Sequence, residues 1–333
     1  MVRKPKPDTP GSGPRTRRIE KELDAQSGPG AEVGAPKFGI VALVGRANAG
    51  KSTLLNRLLG QKVSIVSDKP QTTRNRILGI LNEPRGQIVF MDTPGIHRPL
   101  HKMNVRMMDH VRSSLYESDV IATIVDVSES FGRGDQFVID TLKQTEGVTK
   151  FAILNKIDRI KKNELLPLMQ QYSAFQLFDE IVPISAATGD GADVLVDLLF
   201  KRLPEGAPRY GGKDYTTQPE RFFASEIIRE KLLKYTSDEL PYTTAVTIER
   251  WEEEEERNFI AIHASIFVER DSQKKIVIGR KGDMIKKIGT EARLELEAIL
   301  GAKIFIGLHV AVHESWREDE RFLGELDWPI RES

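Results

Sequence analysis

Short apolar runs and helical patterns succeed one another along the first two-thirds of the chain. The first apolar run leads through a glycine-rich loop into a segment with helical spacing, which is the order strand, loop, helix. Runs of strand length occupy residues 38–45, 86–91, 120–125, 151–154 and 181–184. Apolar runs of this kind are typical of parallel strands that are buried on both faces. We therefore expect an α/β domain with a mostly parallel sheet over residues 36–204.

A different pattern follows the polar stretch 205–219, which is predicted to be a linker because prolines and glycines interrupt it. The predicted elements are a helix at 222–233, strands at 243–249 and 259–268, a helical turn at 274–278, a helix at 284–300 and a strand at 303–312. This α-β-β-α-α-β order predicts a smaller α+β domain, with a C-terminal tail, over residues 220–333.

Residues 1–35 are rich in Pro, Gly, Lys and Arg and carry few apolar side chains, so we expect a disordered basic tail. An organelle transit peptide is the alternative, which acidic residues such as Glu20 and Glu22 disfavour. Nowhere does the chain approach the roughly 20 apolar residues of a membrane-spanning helix.

The amino-acid composition limits the kinds of functional site that the chain can contain. The absence of cysteine excludes disulfides, thiolate-bound zinc, iron–sulfur clusters and cysteine nucleophiles, and fits a cytoplasmic protein. The formal net charge is zero, so any binding of nucleic acid must come from a local basic patch.

Residues 45–52 fit the phosphate-loop pattern G-x-x-x-x-G-K-[ST] between the first strand and the first helix. The glycines let backbone N–H groups surround phosphate oxygens, Lys51 supplies charge to the β- and γ-phosphates, and Ser52 offers its hydroxyl to Mg²⁺. The predicted phosphate-binding residues are Gly45, Arg46, Ala47, Asn48, Ala49, Gly50, Lys51, Ser52 and Thr53.

The second apolar run ends in Asp92-Thr93-Pro94-Gly95, at the strand end where open α/β sheets place their ligands. Asp92 is predicted to hold Mg²⁺ directly or through water, and the Gly95 N–H to meet the γ-phosphate. An ordinary turn is the alternative, and the preceding phosphate loop disfavours it.

Residues 155–158 read Asn-Lys-Ile-Asp after the fourth strand. The Asp158 carboxylate can accept hydrogens from the guanine N1–H and 2-amino groups, and adenine offers neither donor. A backbone N–H near Ser185 and Ala186 can reach the guanine O6. With Asn155 and Lys156, these residues predict a site that selects GTP over ATP.

Residues 279–282, Gly-Arg-Lys-Gly, match the GXXG loop of KH domains, which clamps single-stranded RNA, and the element order is that of type II KH domains. Between residues 270 and 287 there are seven basic residues against two acids, so the positive charge is local; a solvated helical face is the alternative. Ile276, Ile278 and Ile285 are predicted to form an apolar floor for bases. The predicted RNA-binding residues are Ile278, Gly279, Arg280, Lys281, Gly282, Lys274, Lys275, Lys286 and Lys287.

Three further features receive structural interpretations. The five glutamates at 252–256 are predicted to form an exposed hairpin loop that repels nucleic acid. His97 and His101 lack a third metal ligand and are expected at the surface. Trp316 and Trp328 are expected to be packing residues.

Residues 38–204 resemble the Ras-like GTPase superfamily in the motifs quoted above. The resemblance implies that a nucleotide-gated loop near residues 70–74 sends one threonine to Mg²⁺, for which we favour Thr73 over Thr72. Ile96 stands where many Ras-like proteins have the glutamine that orients water, as in translation-associated GTPases. The resemblance makes Lys51, Thr73 and Gly95 the catalytic candidates.

In that branch, an asparagine at the position of Asn48 is associated with K⁺ coordination beside the phosphates. The implied K⁺ could stand in for an arginine finger. The implied cofactors are therefore GTP or GDP, Mg²⁺ and K⁺.

The combination of both domains resembles the Era family of bacterial ribosome-assembly GTPases, from about Phe38 to Trp328. Residues 71–74, 239–242 and 279–282 carry the likeness, whereas the phosphate loop has Ala47 and Ala49 where the family commonly has Pro and Val.

That family resemblance implies binding to 16S ribosomal RNA near its 3′ end, a role in assembly of the 30S subunit, and stronger RNA binding in the GTP state. A monomer in the cytoplasm with peripheral attachment to the inner membrane is the further implication. The alternatives are an RNA-binding module or RNA chaperone in which hydrolysis is incidental, and a tRNA-modification GTPase, which the absence of cysteine disfavours.

Overall fold

The computed structural model describes residues 35–237 and 240–327. Most of the predicted basic tail and Trp328 lie outside the described residues. The chain divides into Met1–Ala35 and a second unit, Pro36–Ser333, which contains both predicted domains.

The first domain alternates strands and helices. Its elements are β1 (Lys37–Gly45), α1 (Lys51–Leu59), β2 (Ile77–Glu83), β3 (Gly86–Asp92), α2 (Lys102–Glu117), β4 (Val120–Asp126), α3 (Arg133–Lys143), β5 (Thr149–Asn155), α4 (Lys162–Ser173), β6 (Glu180–Pro183) and α5 (Ala192–Arg202). They form one six-stranded sheet in the order β2-β3-β1-β4-β5-β6. Only β2 runs antiparallel to its neighbour in this sheet. The mostly parallel α/β fold is confirmed.

Both faces of this sheet are covered, which explains why its strands are almost continuously apolar. Leu43, Phe90 and Phe151 belong to a buried cluster on one face. Val44 and Met91, their neighbours along the chain, belong to a cluster on the other face. The carboxyl ends of the parallel strands β1, β3 and β5 consequently meet at one edge, where ligands of such sheets bind.

The predicted linker packs along the edge of the sheet. The Gln87 side-chain oxygen accepts the N–H groups of Arg209 and Tyr210 at 3.0 and 3.1 Å. The Ile80 N–H donates to the Tyr215 carbonyl at 3.0 Å. The segment 205–219 therefore bonds the Gln87 side chain of β3 and satisfies the Ile80 N–H, which edge strand β2 would otherwise leave open.

The second domain is an α+β unit. Its elements are α6 (Glu220–Tyr235), α7 (Leu240–Thr243), β7 (Ala245–Glu254), β8 (Phe259–Val268), α8 (Asp271–Ile278), α9 (Asp283–Leu300), β9 (Lys303–Val312) and α10 (Glu320–Leu326). The sheet order is β7-β8-β9, with β8 antiparallel to β7 and parallel to β9. The predicted α-β-β-α-α-β frame is present, with α7 and α10 as additions.

The glutamate run differs from its prediction. β7 continues to Glu254, so the run begins within the strand, and only Glu255 and Glu256 lie in the following turn at Glu255–Arg257. Alternation allows one face of an edge strand to carry charge while the backbone stays paired with β8. The acids are nevertheless exposed, as expected.

An apolar cluster joins the two domains. Met103 and Met107 of α2 pack with Trp316, Phe322 and Leu323 of the second domain. Trp316 is fully buried, and its indole N–H donates to the Thr243 carbonyl at 2.9 Å. Its expected packing role is observed. Among the helices of the described residues, none has the length and apolarity to cross a bilayer.

Candidate nucleotide and nucleic-acid sites

The phosphate loop connects β1 to α1 and depends on two glycines. Gly45 has φ 145° and Gly50 has φ 98°, a region that favours glycine. A Cβ on Gly45 would lie 2.3 Å from the Ile124 carbonyl oxygen, and one on Gly50 would lie 2.3 Å from Asn155 Nδ2. Any larger residue at either position would collide with its neighbour.

Two predicted loop residues direct their side chains away from a phosphate. Arg46 pairs with Asp135 at 2.9 Å, and Ala49 is buried in the core. Only their main-chain groups are therefore available to a ligand. The alanines at 47 and 49 are compatible with phosphate binding because backbone N–H groups do the binding.

Lys51 is buried inside the loop. Its Nζ donates to the Arg46 carbonyl at 2.8 Å and approaches the Gly45 carbonyl at 3.4 Å. Burial lowers the pKa of Lys51 to about 8, and the nearby Asp92 partly opposes that shift. The Lys51 ammonium bonds only carbonyl oxygens, and a bound phosphate would give it a direct anionic partner.

Asp92, at the end of β3, is fully buried among hydroxyls. Its Oδ2 accepts Ser52 Oγ at 2.6 Å and Ser64 Oγ at 2.9 Å, while Oδ1 has no partner. Thr73 Oγ1 lies 3.0 Å from Ser52 Oγ. Burial raises the pKa of Asp92, which Lys51 and the hydroxyl donors oppose. An unpartnered carboxylate oxygen beside two hydroxyls fits Mg²⁺, a hard cation that prefers oxygen.

The two threonines of the predicted gated loop have different environments. Thr73 is buried beside Ser52, whereas the Thr72 hydroxyl donates to the Lys69 carbonyl at 2.6 Å. The structure therefore places Thr73, and not Thr72, at the oxygen cluster.

Gly95 lies against the phosphate loop. A Cβ at this position would be 2.6 Å from the Ala47 nitrogen, so the close approach requires glycine. Ile96 donates its N–H to the Gly45 carbonyl at 2.9 Å and is 2% exposed. The position after Gly95 therefore offers a buried aliphatic side chain and no group that could orient water.

Asn155 ties the predicted guanine residues to the phosphate loop. Its Nδ2 donates to the Ala49 carbonyl at 2.8 Å, and its Oδ1 accepts the Ala186 N–H at 2.9 Å. Exposed Asp158 accepts the Ser185 hydroxyl at 2.6 Å. These bonds hold the ends of β5 and β6 in one arrangement, with the Asp158 carboxylate open to a base.

A cavity of about 370 Å³ opens between the phosphate loop and the segment that carries Thr73, and it extends to Lys156. Asp158, Ser185 and Ala186 of the predicted guanine site lie outside its lining. Its size and polar lining suit a nucleotide. Predicted site residues in its wall are Ala47, Asn48, Gly50, Lys51, Ser52, Thr53, Thr73, Gly95 and Lys156.

Sequence reasoning missed two polar residues of this site. Ser64 donates to Asp92, and Asp126 at the end of β4 pairs with Lys156. Asp126 follows an apolar run at a strand end, which is a usable signal. Ser64 stands in no motif, and only the fold brings it to Asp92.

The GXXG loop has the backbone that its glycines predict. Gly279 and Gly282 have φ 75° and 82°, and Lys281 also lies in the left-handed region at φ 55°. Arg280 and Lys281 are exposed at the tip, directly before α9. The loop thus presents two cations beside the positive end of a helix, which suits a phosphate backbone.

The remaining predicted RNA residues divide between surface and core. Lys275, Lys286 and Lys287 are exposed and Lys274 is half-buried. Ile278, in contrast, packs against the core of the second domain.

The predicted apolar floor is built differently. An open groove of about 600 Å³ lies between α9 and β9, and Ile285 lines it whereas Ile276 and Ile278 lie outside its lining. Phe305, which is 48% exposed, contributes the aromatic face that the sequence interpretation missed. The reason is that α8 turns Ile278 inward, so that β9 supplies the apolar surface.

The two histidines that were expected at the surface are half-buried, and Nε2 of His97 is buried without a hydrogen-bond partner. His97 Nδ1 lies 2.6 Å from the Gly95 carbonyl, and His101 Nδ1 lies 2.9 Å from Glu318 Oε1.

Two protein-family models match the chain. One, described as a 50S ribosome-binding GTPase, matches residues 40–156, and one described as a KH domain matches residues 239–317. Both agree with the resemblances inferred from the motifs.

Curated relatives match over nearly their whole length. GTPase Era of Geobacter metallireducens is 48% identical over 292 residues, covering 88% of this chain and 98% of the relative. GTPase Era of Syntrophus aciditrophicus is 46% identical over 292 residues, covering 88% and 95%.

Two solved structures share the fold over 87% of this chain and 98% of theirs, at 39% identity. Era of Aquifex aeolicus, as a variant bound to GDP·AlF₄⁻, aligns with a TM-score of 0.84. Era in complex with MgGDPNP and nucleotides 1506–1542 of 16S ribosomal RNA aligns with a TM-score of 0.85. The chain belongs to the Era family of GTPases.

Proposed function

We propose that this GTPase binds GTP with Mg²⁺ over residues 36–204 and binds 16S ribosomal RNA near its 3′ end over residues 220–333. The arrangement of Asp92, Ser52 and Thr73 around one unpartnered carboxylate oxygen carries the nucleotide part of this proposal. The GXXG loop and the groove beside it support the RNA part, as does the Era structure solved with a 16S fragment.

In this proposal each nucleotide-binding residue has one task. Lys51 and the loop N–H groups hold the phosphates, and Gly95 offers an N–H to the γ-phosphate. Ser52 and Thr73 would hold Mg²⁺, with Asp92 as a direct or water-mediated ligand. Mg²⁺ would neutralise charge on the phosphate oxygens.

The proposed biological role is assembly of the 30S subunit, with GTP favouring the RNA-bound state. Nucleotide and RNA then affect one another's affinity by the same factor. We propose a cytoplasmic monomer with peripheral attachment to the inner membrane, on the strength of the family resemblance. The residues 205–219 are proposed to connect the two functional domains.

The guanine-reading role of Asp158 is tested by Asp158→Asn. The asparagine amide is uncharged, and its NH₂ group faces the guanine N1–H and 2-amino groups, which are also donors. GTP affinity should therefore fall about 100-fold, because one or two charge-assisted hydrogen bonds are lost. Xanthosine triphosphate, which has a carbonyl in place of the 2-amino group, should bind the variant better than GTP. Fluorescent-nucleotide competition measures both affinities.

Asp193→Asn, an exposed acid at the start of α5, is the matched control and should bind GTP as the wild type does. Unchanged GTP affinity in Asp158→Asn would contradict the assigned role.

The lowered pKa of Lys51 predicts uptake of a proton when GTP binds. Near pH 8 part of the free protein lacks this proton, because burial lowers the pKa of Lys51 to about 8. Phosphate binding raises the pKa and fills the site, so net uptake of a fraction of a proton per nucleotide is expected. Calorimetry at pH 8 in buffers of different ionisation enthalpy measures this number. Proton release, or no buffer dependence, would contradict the assignment.

Buried Ile96 cannot orient water, so hydrolysis needs help from another group. A K⁺ ion held by Asn48 is proposed to neutralise negative charge on the phosphates. Asn48 is exposed beside the cavity, and its Nδ2 donates to the Asp68 carbonyl at 2.5 Å. GTP turnover should be about tenfold faster in K⁺ than in Na⁺, equivalent to ~1.4 kcal/mol of barrier. Asn48→Ala should abolish the difference, and equal wild-type rates in both salts would remove the role of Asn48.

The GXXG loop is tested by reversing both cations, with Arg280→Asp and Lys281→Asp together. RNA affinity should fall at least about tenfold because two phosphate contacts become repulsive. GTP binding should stay unchanged. Fluorescence anisotropy with a labelled 16S 3′ fragment measures the affinity.

The matched control reverses Arg250 and Arg257, exposed cations on β7 and its turn. Equal losses of RNA affinity in both double variants would show a general charge effect and refute the assignment of the loop.

A further inference from the structure

Helix α6 carries an unusual number of buried charges. Glu226, Arg229, Glu230 and Lys231 are each at most 9% exposed. Charged side chains are almost never this buried unless they are paired. The helix lies at the junction of the two domains, and its charged residues contact groups of the first domain.

Arg229 holds the loop that carries Thr73. Its Nε and Nη2 bond both carboxylate oxygens of Glu226, at 2.7 and 2.5 Å, which fixes the plane of the guanidinium. Nη2 also donates to the carbonyl of Thr72, the residue that immediately precedes Thr73. A donor on this carbonyl fixes the peptide plane that leads into Thr73. The fork geometry is specific to arginine, since lysine has no planar set of donors.

Glu230 holds the other end of the same loop. Its Oε1 accepts the Val66 N–H at 3.0 Å, and its Oε2 accepts Lys62 Nζ at 2.7 Å. Arg229 and Glu230, neighbours in α6, therefore bond the main chain of Thr72 and of Val66. The segment between them supplies Ser67, Asp68 and Gln71 to the wall of the nucleotide cavity.

The same charges continue to the helix that follows the GXXG loop. Lys62 and Lys231 both pair with Glu295 of α9 and with Glu230. One turn away, Lys234 pairs with Glu291 of α9 at 2.8 Å. Residues 229–234 of α6 thus contact two elements. One is α9, which begins at the proposed RNA loop, and the other is the segment that carries Thr73.

We propose that Arg229, supported by Glu230, is a positioning residue for the GTP·Mg²⁺ state. It holds the Thr72–Thr73 peptide where Thr73 can reach the metal, and Lys231 of the same helix, which pairs with Glu230 and Glu295, links α6 to α9. The proposal rests on the proposed function, because it requires binding of both GTP and RNA. Arg229 contacts the loop backbone and acts through Thr73.

The direct test is the double variant Arg229→Gln with Glu226→Gln, which removes both members of the buried ion pair and leaves neither charge alone. GTP·Mg²⁺ affinity should fall about tenfold, the effect of losing one hydrogen bond from a charged donor. GDP affinity should change less than about twofold, because Thr73 serves the triphosphate state. The Mg²⁺ concentration for half-maximal GTP binding should rise.

A second variant guards against loss of folding. Arg229→Lys keeps a cation beside Glu226 but loses the fork, so its GTP-to-GDP affinity ratio should lie between those of the wild type and the double variant. Arg257→Gln, an exposed arginine of the same domain, is the matched control with an unchanged ratio. Thermal melting of each protein identifies any variant that fails to fold.

The outcomes are distinct. An unchanged GTP-to-GDP ratio in the folded variants, or an equal loss of both nucleotides, overturns the positioning role. In the wild type, the 16S 3′ fragment should strengthen GTP binding, and in the double variant this effect should shrink several-fold; unchanged coupling overturns the link to α9. Failure of the proposed function would show differently, as a wild-type protein that binds no guanine nucleotide or no RNA.

Discussion

The buried carboxylate of Asp92 is the constraint on which the nucleotide site depends. It draws hydroxyls from three separate segments, through direct bonds from Ser52 and Ser64 and through Thr73 beside Ser52. A carboxylate without solvent is costly unless donors or a cation compensate it. The unpartnered Oδ1 and the raised pKa of Asp92 show that Lys51 and the hydroxyl donors compensate its burial only in part. A metal ion and a phosphate would complete it, and their binding would stabilise the loop that carries Thr73.

This constraint extends beyond the first domain. The peptide before Thr73 is held by Arg229 of α6, and α6 is joined by ion pairs to α9, the helix that follows the GXXG loop. In the proposed positioning role of Arg229, a change in the occupancy of the Asp92 site acts on contacts at the domain junction. Ile96 leaves water without an orienting amide, which is compatible with a protein whose nucleotide state matters more than rapid turnover.

Much of this organisation was predictable because it follows from local rules. Buried parallel strands are continuous apolar runs, and phosphate and guanine binding need particular residues at strand ends, so the sheet, the phosphate loop and residues 155–158 are evident in the sequence. The strands at 259–268 and 303–312 match their predicted bounds. Edge strand β2 was not predicted. It pairs with β3 on one side and contacts the 205–219 segment on the other, and local periodicity cannot show contacts between segments so far apart in the chain. Arg229 looks like a solvated charge in the sequence, but it is 3% exposed and bonds Glu226 and the Thr72 carbonyl, and local periodicity cannot show the second of these contacts.

The most direct measurement is equilibrium binding of GTP and ATP to the purified wild-type chain, each with Mg²⁺ and with the metal removed by a chelator. GTP should bind at least about 100-fold more tightly than ATP, as expected when a site built for polar donors rejects a base that lacks them. Removal of Mg²⁺ should weaken GTP binding. Equal affinity for both nucleotides, or GTP binding that is indifferent to the metal, would contradict the proposed GTP and Mg²⁺ site.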